Sequence, residues 1–140
     1  MKVNPHRSSL GMDANIMALL CYIAAFVIAW IPFIQYIAFA APLVIFFLEK
    51  DSPFVKFHAI QSLIMSIIAC IFTIIAYSIS FAAYFFFGFF ILITVLLVIG
   101  FIAVAVFSIY AMIKAYGYEE YKIPLIGNLA EKFSKGGTAL

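Results

Sequence analysis

Two stretches of this chain, residues 14–48 and 57–113, contain no formally charged side chain, although the sequence carries 8 Lys and Arg and 6 Asp and Glu. A helix in water wets one face with charged side chains, and neither stretch has any with which to do so. Neither alternates with the two-residue period of a barrel strand. The chain is 68% hydrophobic and 10% charged, where a soluble domain is about half and about a quarter. Lipid is the solvent that fits.

As continuous helices at about 1.5 Å per residue, the two stretches would be roughly 52 Å and roughly 85 Å long, against a hydrocarbon core of about 30 Å. Each must turn back once. The sequence therefore predicts an all-α integral membrane protein with four transmembrane helices arranged as two hairpins, spanning about 14–30, 33–48, 58–79 and 90–113. The first two look short for a full crossing. Residues 1–13 form an N-terminal segment, 14–115 the four-helix transmembrane domain, and 116–140 a tail.

An even number of spans returns the three charged segments to one face. They are Lys2, Arg7 and Asp13; Glu49, Lys50, Asp51 and Lys56; and Lys114, Glu119, Glu120, Lys122, Glu131, Lys132 and Lys135. Cytoplasmic loops are enriched in Lys and Arg, and the two expected external turns have none, so both termini are assigned to the cytoplasm. The expected location is the plasma membrane of a prokaryote, with multiple passes. The first turn is marked by Ile31-Pro32, flanked by Trp30, Phe33 and Tyr36 as an aromatic belt would be. The second lies somewhere within residues 80–89.

A cleaved signal peptide competes for the N-terminus, since Lys2 and Arg7 precede an apolar run and Ala38-Phe39-Ala40 resembles a cleavage site. The run is too long for a signal core, and an uncleaved signal anchor accounts for the same residues. Pro42, inside the second expected helix, should leave the Ala38 carbonyl unpaired and introduce a kink. His6 is expected in a loose tail, and Gly136-Gly137-Thr138 should be disordered.

No Gly-rich phosphate loop, His-Glu-x-x-His, Gly-x-Ser-x-Gly or membrane-embedded pair of acids is present, so no catalytic residue is assigned and an enzyme is not expected. Cys21, Cys70, His6 and His58 have no metal-ligand spacing, so neither metal nor cofactor is expected, and no basic stripe suggests a nucleic acid. No charge lies within a span, which removes the usual signature of a proton-coupled carrier.

The spans do offer small and polar residues on particular faces, as membrane helices do where they pack. His58, Ser62, Ser66, Cys70, Thr73 and Tyr77 form a stripe at three- or four-residue steps, and Gly100, Ser108, Ala111 and Ala115 lie near one face of the last span. This reads first as helix packing, second as the lining of a substrate path. Before the third span, Ser52-Pro53 breaks the chain, Phe54 and Phe57 can dip into the interface, and Lys56 stays in water. His58 and Gln61 then share a face at the cytoplasmic mouth. Phe54, Lys56, Phe57, His58 and Gln61 are candidate contacts for a partner or substrate. In the tail, Leu125, Leu129 and Phe133 share a face that Glu131, Lys132 and Lys135 avoid, as in a short interfacial helix lying on the membrane.

Pro53-Phe54-Val55-Lys56-Phe57-His58-Ala59-Ile60-Gln61-Ser62, with Ala115-Tyr116-Gly117 and Tyr121-Lys122-Ile123-Pro124-Leu125-Ile126 after the last span, resembles a family of small prokaryotic four-helix membrane proteins of unknown function. That family looks like a distant relative of the four-helix import component of the chloroplast inner envelope, the twenty-kilodalton Tic-type protein. The resemblance covers roughly residues 14–128 and assigns no chemical role to any residue. It implies a non-enzymatic membrane subunit or helper, import-component-like, whose partners are the lipid bilayer and other membrane proteins, itself or translocating segments. The alternative is a homo-oligomeric small transporter or channel.

Overall fold

In the computed structural model, which describes residues 2–83 and 87–136, the chain forms five α-helices. They are α1 (Ala14–Ala29), α2 (Ala40–Leu48), α3 (Pro53–Ala83), α4 (Phe87–Tyr116) and α5 (Gly127–Gly136), with a 3-10 turn at Ile34–Ile37 between α1 and α2. No strand occurs among the described residues; isolated backbone bridges join Lys2 to Glu119 and Arg7 to Asp13. Tyr84 to Phe86, in the expected second turn, lie outside the described residues, as do Gly137 and Thr138. Gly136 still belongs to α5.

The second expected helix is the one the structure alters most. Instead of one element over 33–48, Phe33 takes a positive φ of 65°, the 3-10 turn follows, and α2 begins only at Ala40. Pro42 thus falls in the first turn of α2, where its missing N–H costs little. The Ala38 carbonyl accepts from the Ala41 amide at 3.4 Å instead of being orphaned. The proline starts a helix rather than kinking one.

The third helix starts five residues earlier than its apolar pattern suggests. Ser52 is its N-cap, its hydroxyl accepting from the Val55 amide at 3.2 Å, and Pro53 takes the first helical position. Ser-Pro here is an initiation signal rather than a break.

Helix α3 is the hub, packing against α1, α2, α4 and α5. The inner face of α1, Ala14, Met17, Ala18, Cys21, Tyr22 and Ala25, is wholly buried and dominated by small side chains. Backbones can therefore approach closely. Residues 91–110 of α4 include no buried position; Leu92, Leu96, Ile99, Ile102 and Ile109 are exposed. Spans Pro53–Ser80 and Ile91–Tyr116 are long and apolar enough to cross a membrane, and Ala14–Ala29 and Ile34–Leu48 are shorter apolar segments.

Candidate functional site

The three charge-bearing segments converge at one end of the bundle. The N-terminal residues lie across it as a strap: the Val3 amide donates to the Tyr118 carbonyl at 2.8 Å, the Ala14 amide to the His6 carbonyl at 3.0 Å, and the Asn15 side-chain amide to the Tyr116 carbonyl at 3.0 Å. His6 is not in a loose tail. Its Nδ1 lies 2.9 Å from the Asn4 carbonyl and so carries the proton, leaving Nε2 to accept from the Ser52 hydroxyl at 2.7 Å. Its ring also meets Phe54 and Tyr118 edge-on or tilted, each at 6.2 Å.

Beneath the strap lies Glu49, only 1% exposed. The Ser8 hydroxyl donates to its Oε2. Oε1 accepts from the Ser9 amide at 3.1 Å, the Ser9 hydroxyl at 2.8 Å, the Asp51 amide at 3.1 Å and the Ser52 amide at 3.0 Å. Burial alone would push the carboxyl pKa up. The hydrogen bonds from Ser8, Ser9 and Ser52 outweigh it and hold the value down at about 2, because donors aimed at a carboxylate favour its charged form.

One turn into α3, Phe54, Phe57, His58 and Gln61 are all buried inside the chain. The phenylalanines do not dip into an interface, and His58 and Gln61 do not stand at an open mouth. The Gln61 amide donates to the Tyr22 hydroxyl at 3.4 Å, and that hydroxyl lies 3.2 Å from His58 Nδ1. While accepting from Gln61, the Tyr22 hydroxyl keeps its own proton free to donate to Nδ1. Nε2 and Gln61 Oε1 are buried without a hydrogen bond of normal geometry, with the Glu119 main chain close to the ring. Phe54 and Phe57 wrap the imidazole at 4.7 and 5.2 Å. Of the five candidate contact residues only Lys56 reaches outward, donating to the Lys50 carbonyl at 3.1 Å.

Beyond this sealed end the bundle opens sideways. A cavity of about 540 Å³ lies between α1, the 3-10 turn, α3 and α4, and Ser62, Ser66, Cys70, Thr73 and Ser108 of the small and polar stripes line it. Tyr22, Phe26, Trp30, Tyr36 and Met65 complete its apolar walls. Ser66 donates to the Ser62 carbonyl and Thr73 to the Ala69 carbonyl, each at 2.8 Å, while Ser62 bridges to the Cys21 carbonyl at 2.8 Å. Those hydroxyls hold helices rather than facing a solute. Of the remaining stripe residues, Tyr77 is exposed and Ala111 buried. Gly100 lies against the Phe72 ring, which a Cβ there would strike.

Sequence reading missed Tyr22, Glu49, Ser8 and Ser9 as site residues. Tyr22 could have been found from the small-residue face of α1 on which it lies; the pairing of Ser8 and Ser9 with Glu49, some forty residues away, has no local signature.

A protein-family model described as the magnetosome magnetite crystal formation protein family matches residues 13–130. Among curated proteins, one UPF0132 membrane protein of Methanocaldococcus jannaschii is 33% identical over 135 residues, covering 92% of this chain and 96% of the relative. A second from the same archaeon is 30% identical over 125 residues, covering 89% and 73%. No solved structure matches. None of these relatives is a plastid import component, and nothing in them links the chain to one.

Proposed function

The chain belongs to the magnetosome magnetite crystal formation protein family, and we propose that within it this protein is a non-enzymatic helper that holds apolar segments of other membrane proteins in its lateral cavity. The observation that carries the reading is the cavity itself, about 540 Å³ and walled by aromatic and aliphatic side chains. It suits a hydrophobic helix face or translocating segment better than a polar solute. The family's description speaks of magnetite crystals; the cavity lining is mostly carbon, with Gln35 and Ser108 among its few polar members.

In this reading α1, the 3-10 turn with α2, α3 and α4 make four crossings of a prokaryotic plasma membrane, with both termini cytoplasmic. Support comes from the meeting of all three charged segments at one end and from the apolar exposed surface of α4. The import-component likeness rests on the sequence motifs alone. A homo-oligomeric channel would need hydroxyls free to meet solute, and Ser66 and Thr73 donate theirs to their own helix.

The test is in-cell photocrosslinking from Ala69, in the cavity, and from Ile102, on the outer face of α4. The proposal expects a discrete membrane-protein adduct from position 69 that position 102 does not give. Lipid and self-adducts alone from position 69, with equal probe efficiency, overturn it.

A further inference from the structure

The connection from α4 to α5 exposes a large apolar side chain where a turn would ordinarily carry glycine. The Ile126 amide donates to the Ile123 carbonyl at 3.2 Å across Pro124 and Leu125, and Leu125, at the second central position, has a φ of 68°. A bulky side chain is disfavoured there. Ile123 is buried and packs with Tyr22, Met65 and Ala111, and Ile126 packs against the same cluster. Leu125 points away and is 97% exposed.

Helix α5 repeats the inversion. It packs on α3 through small residues, Ala130 meeting Phe57 and Ile60, while Leu129 and Phe133 face outward. A helix bathed in water would be turned the other way round. The surroundings identify what covers this face. The Tyr121 ring meets Tyr110 edge-on at 4.6 Å, and Tyr110 and Tyr116 are exposed at the end of α4, where aromatic rings mark the headgroup level. Exposed Lys132, next to Phe133 in the chain, adds a cation suited to anionic headgroups, while Lys122 is paired with Glu131 at 2.5 Å.

We propose that Leu125, Leu129 and Phe133 form an apolar prow that inserts into the adjoining lipid leaflet, with acyl chains as its ligand. The inference rests on the membrane reading above. It goes beyond that reading by giving the strained turn a purpose, which is to hold a hydrophobic finger at lipid depth.

The test uses the full chain in phosphatidylcholine and phosphatidylglycerol vesicles, with a genetically encoded fluorescent residue at position 133, 128 or 102. Quenching by brominated acyl chains is compared with quenching by aqueous iodide. Position 133 is expected to be quenched at least threefold more by the lipid than is position 128. Leu125→Gly, which suits the positive φ and keeps the turn, should lower lipid quenching at 133 at least twofold. Iodide quenching at 133 equal to that at 128 overturns the inference while lipid quenching at 102 leaves the membrane reading standing. Shielding of 133 from both quenchers points to a protein contact and also overturns it. Absence of lipid quenching at 102 overturns the membrane reading and the prow together.

Discussion

The two ends of this bundle are built by different rules. At the charged end, side chains are interdigitated and hydrogen-bonded as in the core of a soluble protein: Glu49 takes five donors, and Phe54, Phe57, His58 and Gln61 are all buried. Along residues 91–110 of α4 nothing is buried, and a cavity stands between α4 and its neighbours. The first region is covered by the chain itself. The second is finished by whatever surrounds it, as expected where lipid tails are as apolar as the side chains they touch.

The sharpest way to break that contrast is at Glu49. Replacing it with alanine leaves the buried Ser8 hydroxyl and Ser52 amide, and the part-buried donors of Ser9 and Asp51, without their acceptor, and unsatisfied buried groups cost about 1–3 kcal/mol each before relaxation. Glu49→Ala is expected to destabilise the protein by about 3 kcal/mol in a denaturation assay in mild detergent, with trypsin cleavage after Arg7 at least tenfold faster. Acid should act in the same direction. The folded carboxyl has its pKa depressed to about 2, against about 4.3 for an unfolded glutamate. Its stabilisation is therefore fully present above about pH 4.3 and is lost as the pH falls toward 2. Strap release followed by a probe near Lys2 should show this acid limb in the native protein and not in Glu49→Ala.

Next in size is Tyr22→Phe, which removes the hydroxyl joining Gln61 to His58 and should cost about 1–2 kcal/mol, read from the same denaturation assay. Ala115→Leu overpacks a fully buried contact and should cost about 1–3 kcal/mol. Smallest is the effect in the open region. Ile102→Ala and Thr73→Ala should each change stability by less than about 0.5 kcal/mol, the first because its side chain is exposed, the second because its hydroxyl only serves its own helix. A large loss at Ile102 would show that α4 is covered by protein.

What the sequence reveals follows the same division. Charge-free runs announce α3 and α4 because lipid imposes composition on every exposed position, and helical spacing brings out Ser62, Ser66, Cys70 and Thr73 on what becomes one cavity wall. The charged end was harder to read. Whether Phe54 and Phe57 meet lipid or protein depends on the strap and on Tyr118, which stacks on Phe54 at 5.7 Å from more than sixty residues away. Short-range signals also misled where one residue has two uses: Ser52-Pro53 reads as a break but caps α3, and Pro42 reads as a kink but opens α2.

The two native cysteines fall one in each region, Cys21 fully buried at the closed end and Cys70 partly exposed on the cavity wall. The decisive measurement is the modification of the unaltered protein in lipid nanodiscs by an apolar, membrane-permeant maleimide, followed residue by residue by mass spectrometry. Labelling at Cys70, with Cys21 protected until the chain is unfolded, is the result this account expects. Labelling of Cys21 as fast as Cys70 in the folded protein would contradict the division between an end covered by the chain itself and an open one.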